Sequence, residues 1–180
     1  RFDALVNLLL AWPDAQTLVF ARTRADVARL GEELAHAGFV VGSLSGEMEQ
    51  GERNRAMAAF KRGDLDALVA TDVAARGIDV DIARVVHFEP PDDADAYTHR
   101  SGRTGRAGRK GRSALLVAPQ ALARTQAILR RANVEARIEP LPQGDQIFER
   151  AEASLFDALD REDPALDANV PQYAWALAGR

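Results

Sequence analysis

Along the first 140 residues apolar side chains recur with two alternating periods, and this restricts the chain to one class of fold. Leu5, Leu8, Leu9 and Trp12 share one face of residues 2–12, which predicts an amphipathic helix. Residues 17–21 form a short apolar run suited to a strand buried on both faces. Val27, Leu30 and Leu34 predict a second helix over 25–37, stopped by Gly38. The pattern continues with a strand at 40–44, a helix at 50–60 ended by Gly63, and strands at 67–70 and 84–88. A helix from 95 to about 103, a strand at 113–117, a helix at 121–131 and a weaker strand at 136–139 complete it. Strands separated by helices imply βαβ crossovers, hence an α/β fold with a mainly parallel sheet and helices on both faces.

In such a sheet the functional loops lie beyond the carboxyl ends of the strands, and the unusual residues fall there. Arg22, Thr23 and Arg24 follow the first strand. Ser45, Gly46, Glu47, Gln50 and Arg53 follow the second, and the run from Thr71 to Asp79 follows the third. After the fourth comes the stretch 97–112, with Arg100, Arg103, Arg106, Arg109, Lys110 and Arg112 and no acidic residue. Arg100, Arg103 and Arg106 recur every third residue, so a helical turn aligns them on one side. Guanidinium groups aimed at one place fit a target of dense negative charge, because arginine bonds phosphate oxygens in a planar fork. A solvated basic loop is the plainer alternative for such a run.

The whole chain of 180 residues carries a net charge of -4, so any contact with nucleic acid must be local. No cysteine is present, which excludes disulfides and cysteine-bound metal and fits a cytoplasmic protein. His36, His87 and His99 show no metal-ligand spacing, so no metal site is expected. No apolar run is long enough to span a membrane, and no membrane partner is expected. The chain opens at Arg1 inside an amphipathic stretch and reads as a piece of something longer.

Four of these stretches, in this order, resemble the second, C-terminal RecA-like domain of DEAD-box RNA helicases, over roughly residues 1–140. Residues 18–24 are similar to the family's motif IV, and Gln50-Gly51-Glu52-Arg53 to its Q-x-x-R element. Residues 69–79 are similar to motif V, and His99-Arg100-Ser101-Gly102-Arg103-Thr104-Gly105-Arg106 matches motif VI throughout. Ser45-Gly46-Glu47 departs from the family's usual His-Gly-Asp. The resemblance implies arginine fingers at Arg103 and Arg106 for the γ-phosphate of ATP. It implies ribose contacts from Asp79 and close backbone approach to the nucleotide at Gly77. Arg22, Thr23, Gln50, Arg53 and Thr71 would hold an RNA backbone without reading bases. His99 and Arg100 would couple the two sites or brace their loop, while Asp72 is better suited to an internal hydrogen bond.

Neither a G-x-x-x-x-G-K-[ST] loop nor Asp-Glu-Ala-Asp occurs in the 180 residues. In the family those parts hold the triphosphate and Mg2+ on an N-terminal RecA-like domain, so these 180 residues alone are expected to be inactive. A DNA helicase of the same superfamily and a non-enzymatic RNA-binding or assembly module are the rival readings. Retained finger arginines and Asp79 count against the module. Residues 141–145 read as a linker and 146–180 as a helical extension, with one helix from 146 to about 160 and a second opening at Pro171. Phe148, Leu155, Leu159 and Trp175 must cover something: either the RecA-like domain or, as the preferred expectation, a second copy or other partner.

Overall fold

In a computed structural model the described residues are 1–13, 15–78, 82–105 and 111–160, without the side chains of 151 and 154–160. Five strands form one all-parallel sheet in the order β2-β3-β1-β4-β5. They are β1 (Thr17–Phe20), β2 (Val41–Leu44), β3 (Ala67–Ala70), β4 (Arg84–His87) and β5 (Arg112–Leu115). The helices are α1 (Phe2–Leu10), α2 (Arg24–His36), α3 (Gln50–Arg62), α4 (Ala94–Ser101), α5 (Leu122–Arg131) and α6 (Gly144–Asp160). None of the helices among the described residues is long and apolar enough to cross a membrane.

Strand side chains alternate between two cores, as the pleat requires. On one face Val19, Val69 and Val86 pack with Leu5, Leu8 and Leu9 of α1 and Val27, Leu30 and Leu34 of α2. On the other, Leu18, Phe20, Leu68 and Val85 meet Phe60 of α3 and the 74–82 connection. Tyr97 of α4 and Ile128 and Leu129 of α5 extend that second layer over Leu115. Runs buried on both faces therefore read as continuous hydrophobic stretches.

The expected strand at 136–139 is absent: residues 134–143 have no regular secondary structure, and Ile138 is 71% exposed. Arg137 and Glu139 flank Ile138 with charge, and Pro140 and Pro142 lack the amide hydrogens a ladder needs. Beyond this segment α6 packs on α1. Asn7 donates from Nδ2 to the Pro142 carbonyl at 3.0 Å, and the Arg150 guanidinium lies 4.8 Å from the centre of the Trp12 ring. The helix expected at Pro171, with Trp175, lies outside the described residues, as do the side chains of Leu155 and Leu159.

One buried charge anchors the amino-terminal edge of the sheet. Arg84 opens β4 at 2% exposure and donates to the carbonyls of Leu8, Trp12 and Ala15 at 2.8–2.9 Å. Those carbonyls lie at and beyond the end of α1, where backbone acceptors lack helical partners and the dipole favours a cation. Burial, with the nearby Arg112 charge, lowers the Arg84 guanidinium to about 10, so it stays charged at neutral pH. Arg84→Met keeps the volume and removes every donor. We expect it to lower the unfolding free energy by about 2–4 kcal/mol in urea titrations, because buried acceptors lose a charged partner.

Candidate functional site

Topology places the loop after β3. Both β3 and β4 flank β1, so the connection 71–83 must cross β1. It does so with Ala74, Ala75, Ile78 and Ile82 buried against Leu18 and Phe20. Thr71 starts this crossing at 8% exposure, and its Oγ1 accepts from the Ala74 amide at 3.3 Å. Gly77 has φ 75°, a conformation that L side chains seldom adopt, and nothing lies within 4 Å of where a Cβ would stand.

The loop after β4 is tied to this crossing at three points. Arg100 donates from Nε and Nη2 to the two oxygens of Asp72, at 2.6 and 2.7 Å. It also donates to the Glu89 carbonyl at 3.1 Å, and its guanidinium lies 5.4 Å from the Phe20 ring centre. Arg103 reaches the Ile78 carbonyl at 3.4 Å, and Thr104 donates to the carbonyls of Ile82 and, at 3.1 Å, Ala83. From α3, Arg53 donates to the Arg76 carbonyl at 3.1 Å. Arg53, Thr71, Gly77, Arg100 and Arg103 thus belong to one connected rim.

The other expected residues are placed less directly. Arg22 pairs with Asp92 at 3.1 Å and Glu89 at 3.6 Å, and Arg24 pairs with Glu47. Thr23 caps α2: its hydroxyl donates to Asp26 at 2.6 Å and accepts from the Asp26 amide at 3.1 Å. Its own amide also donates to Asp26, so both groups already have partners. That hydroxyl contact is the main cause holding the Asp26 carboxyl below its usual range. Gln50 bonds Asn54 on the exposed face of α3, and His99 is exposed. Asp79 and Arg106 lie outside the described residues.

Residues 1–108 match the family model described as the helicase conserved C-terminal domain. The chain is 39% identical to the Escherichia coli DEAD-box protein SrmB, in a structure with the regulator of ribonuclease activity A. That match covers 81% of this chain and 85% of that one, with a TM-score of 0.66. The chain belongs to the helicase C-terminal domain family, in its DEAD-box branch. The ATP-dependent RNA helicase DeaD of Mycobacterium tuberculosis is 37% identical over 160 residues, 88% of this chain but 28% of that protein. The Saccharomyces cerevisiae protein Dbp5, in a structure with RNA and ADP BeF3, superposes with a TM-score of 0.74 at 29% identity, over 86% of this chain and 42% of that one. The chain spans about a quarter to a third of the length of the curated relatives it matches.

In this helicase C-terminal domain a polar cluster under the rim went unassigned from sequence. His87 ends β4 fully buried, with Nε2 3.3 Å from Ser101 Oγ and 3.1 Å from Ser113 Oγ. Its ring stacks on Tyr97 at 5.4 Å. The one available signal was a histidine inside an apolar strand. Burial, then the Arg100 charge, pushes the imidazole from 6.5 to about 3, while Asp72 opposes the shift. The unfolded chain therefore takes up this proton first, and stability falls as pH drops from about 6.5 towards 3. Between pH 7 and 5 we expect a loss of about 2 kcal/mol from His87, seen in urea titrations as a slope that His87→Asn removes.

Proposed function

We propose that this chain supplies one half of the active site of an ATP-dependent RNA helicase, together with part of a sequence-independent RNA backbone site. The observation that carries the reading is the Arg103 contact with the Ile78 carbonyl. It holds Arg103, the proposed finger, against the residue that precedes Asp79 in sequence, which supports a phosphate-directed arginine and a ribose-directed carboxylate acting in the same region. Open space over exposed Gly77 fits a nucleotide backbone contact there.

When ATP is held between this domain and an N-terminal RecA-like domain of the same protein, Arg103 and Arg106 would face the γ-phosphate. Charge spreads over the phosphoryl oxygens during transfer, and a preorganised guanidinium stabilises it without reorganisation. Asp79 would accept hydrogen bonds from the ribose hydroxyls. By the family resemblance, Mg2+ would be held by the N-terminal RecA-like domain, where it would help to neutralise charge on the phosphates. Arg100, forked onto Asp72, would act as the brace between the two loops, with exposed His99 free to meet the approaching domain.

Gln50, Arg53 and Thr71 would line the RNA backbone site, with Arg22 and Thr23 at its β1 end. Arg22 would exchange carboxylate partners for phosphate. Contacts of this kind position a strand and read no bases. The helical extension carries a separate proposal of self-association, supported by the exposed side chains of Ile138, Leu141 and Phe148. The packing of α6 on α1 supports the alternative, a cap on the domain. A concentration-dependent rise in sedimentation coefficient would favour the dimer, and a concentration-independent monomer would rule it out.

In the full-length protein, Arg103→Ala and Arg106→Ala are each expected to lower kcat on the order of 10³-fold, while RNA binding without nucleotide stays near parental. Hydrolysis at the parental rate by both variants would remove the finger assignment. Arg53→Ala is expected to weaken binding equally for unrelated RNA sequences and to reduce the salt slope by about 1. Filter binding across salt concentrations checks this, and a changed sequence preference would mean that bases are read.

A further inference from the structure

One side chain at the end of α4 ties the arginine-bearing turn to the sheet. Ser101 follows Arg100 directly and precedes Arg103 by two residues. Its Oγ lies 2.9 Å from Ser113 Oγ on β5 and 3.3 Å from His87 Nε2 on β4, and those two partners are 3.1 Å apart. Three elements thus meet at a triangle of polar atoms. A helical serine can bond back to a carbonyl of its own helix. Ser101 reaches across to the sheet instead.

The triangle has one consistent direction. His87 Nδ1 is buried without a partner, so a proton there would be a buried, unpaired donor. Placed on Nε2, the proton is donated to the serine oxygens, and Nδ1 keeps only a lone pair. The imidazole is therefore a fixed donor on a fully buried strand end.

The backbone carries this anchoring to Arg103. The Arg103 amide donates to the Arg100 carbonyl and the Thr104 amide to the Ser101 carbonyl, each at 3.1 Å. On the rim side Arg100 is held by Asp72 and the Glu89 carbonyl. The Arg103 side chain reaches the Ile78 carbonyl at 3.4 Å, a long contact that fixes its direction weakly. The path of Arg103 out of the turn is thus set by the backbone of residues 100–104, which Ser101 holds from the sheet side.

We propose that Ser101 is a positioning residue for Arg103, seating the arginine turn on the sheet through His87 and Ser113. This rests on the finger role proposed above for Arg103. Displacing a catalytic group by about 1 Å can cost on the order of 10²-fold in rate, so a turn that loses this tie has a measurable signature.

The test compares Ser101→Ala, Ser101→Thr, His87→Phe, Val27→Ala and Arg103→Ala in the full-length protein, by RNA-stimulated ATPase kinetics, RNA binding without nucleotide, and Tm. Ser101→Ala removes the tie, and His87→Phe keeps a ring against Tyr97 while removing the Nε2 donor. Val27→Ala lowers stability from the core on the opposite face of the sheet. We expect Ser101→Ala to lower kcat by about 10–100-fold, with KM for ATP and RNA binding within about twofold of parental, because a finger acts in the transition state. His87→Phe should lower kcat in the same way, and Ser101→Thr, which keeps a hydroxyl, should recover most of it. Val27→Ala should lower Tm at parental kcat. Parental kcat for folded Ser101→Ala, beside a severe loss in Arg103→Ala, would overturn the positioning role and leave the finger reading standing. Where Ser101→Ala does not fold, His87→Phe decides by the same criterion. A parental rate in Arg103→Ala would overturn the finger reading and this inference with it. Losses of kcat that track Tm alike in Ser101→Ala and Val27→Ala, or no recovery in Ser101→Thr, would make the contact structural only.

Discussion

The rim depends first on the fork between Arg100 and Asp72. Arg100 is 5% exposed, and a guanidinium so placed loses much of its hydration and must be matched by fixed acceptors. Asp72 supplies two of them and the Glu89 carbonyl a third. The pair joins the start of the β3–β4 crossing to the last turn of α4, segments 28 residues apart in sequence. With that distance fixed, Arg103 falls against Ile78 and Thr104 against Ile82, because each follows Arg100 within one turn. Losing Asp72 would leave the buried Arg100 charge poorly satisfied, and losing either partner would free the two loops from each other.

Beneath the fork lies a second layer that belongs to stability. Phe20 sits under the Arg100 guanidinium and tilts against His87, which stacks in turn on Tyr97. His87 stays neutral because burial disfavours its charged form, and the nearby Arg100 cation adds to that cost. At the opposite edge, Arg84 closes the end of α1, with Trp12 lying near the guanidinium groups of Arg84, Arg112 and Arg150. The carboxyl edge carries the rim, and the amino edge carries the docking of α1 and α6. The rim arginines and the arginines that hold α1 and α6 are thus separated by the length of the strands.

Most of the fold could be read from sequence because buried parallel strands and amphipathic helices have different periods. Gly38 and Gly63 marked the ends of α2 and α3, and both adopt positive φ just past those helices. The segment 136–139 misled because four residues carry too little pattern to outweigh two following prolines. For the site, the clustering of Arg53, Thr71, Gly77, Arg100 and Arg103 followed from the rule that loops gather at the carboxyl ends of strands. Asp72 was legible as an internal hydrogen-bond partner, whereas Ile78 and Arg76 were not, since they act through backbone carbonyls that carry no sequence signature. Thr23 shows the reverse problem: a threonine after a strand suits phosphate binding and helix capping equally, and here Asp26 three residues on forms the cap. His87 and Arg84 were hidden because polar residues in a strand run disclose burial without naming a partner.

The central claim is that these 180 residues hold one half of a divided hydrolytic site. ATP turnover by this chain alone, against the full-length protein at saturating ATP and RNA, tests it most directly. The account predicts background hydrolysis from the chain and RNA-stimulated hydrolysis from the full-length protein. RNA-stimulated turnover by the isolated chain would contradict it.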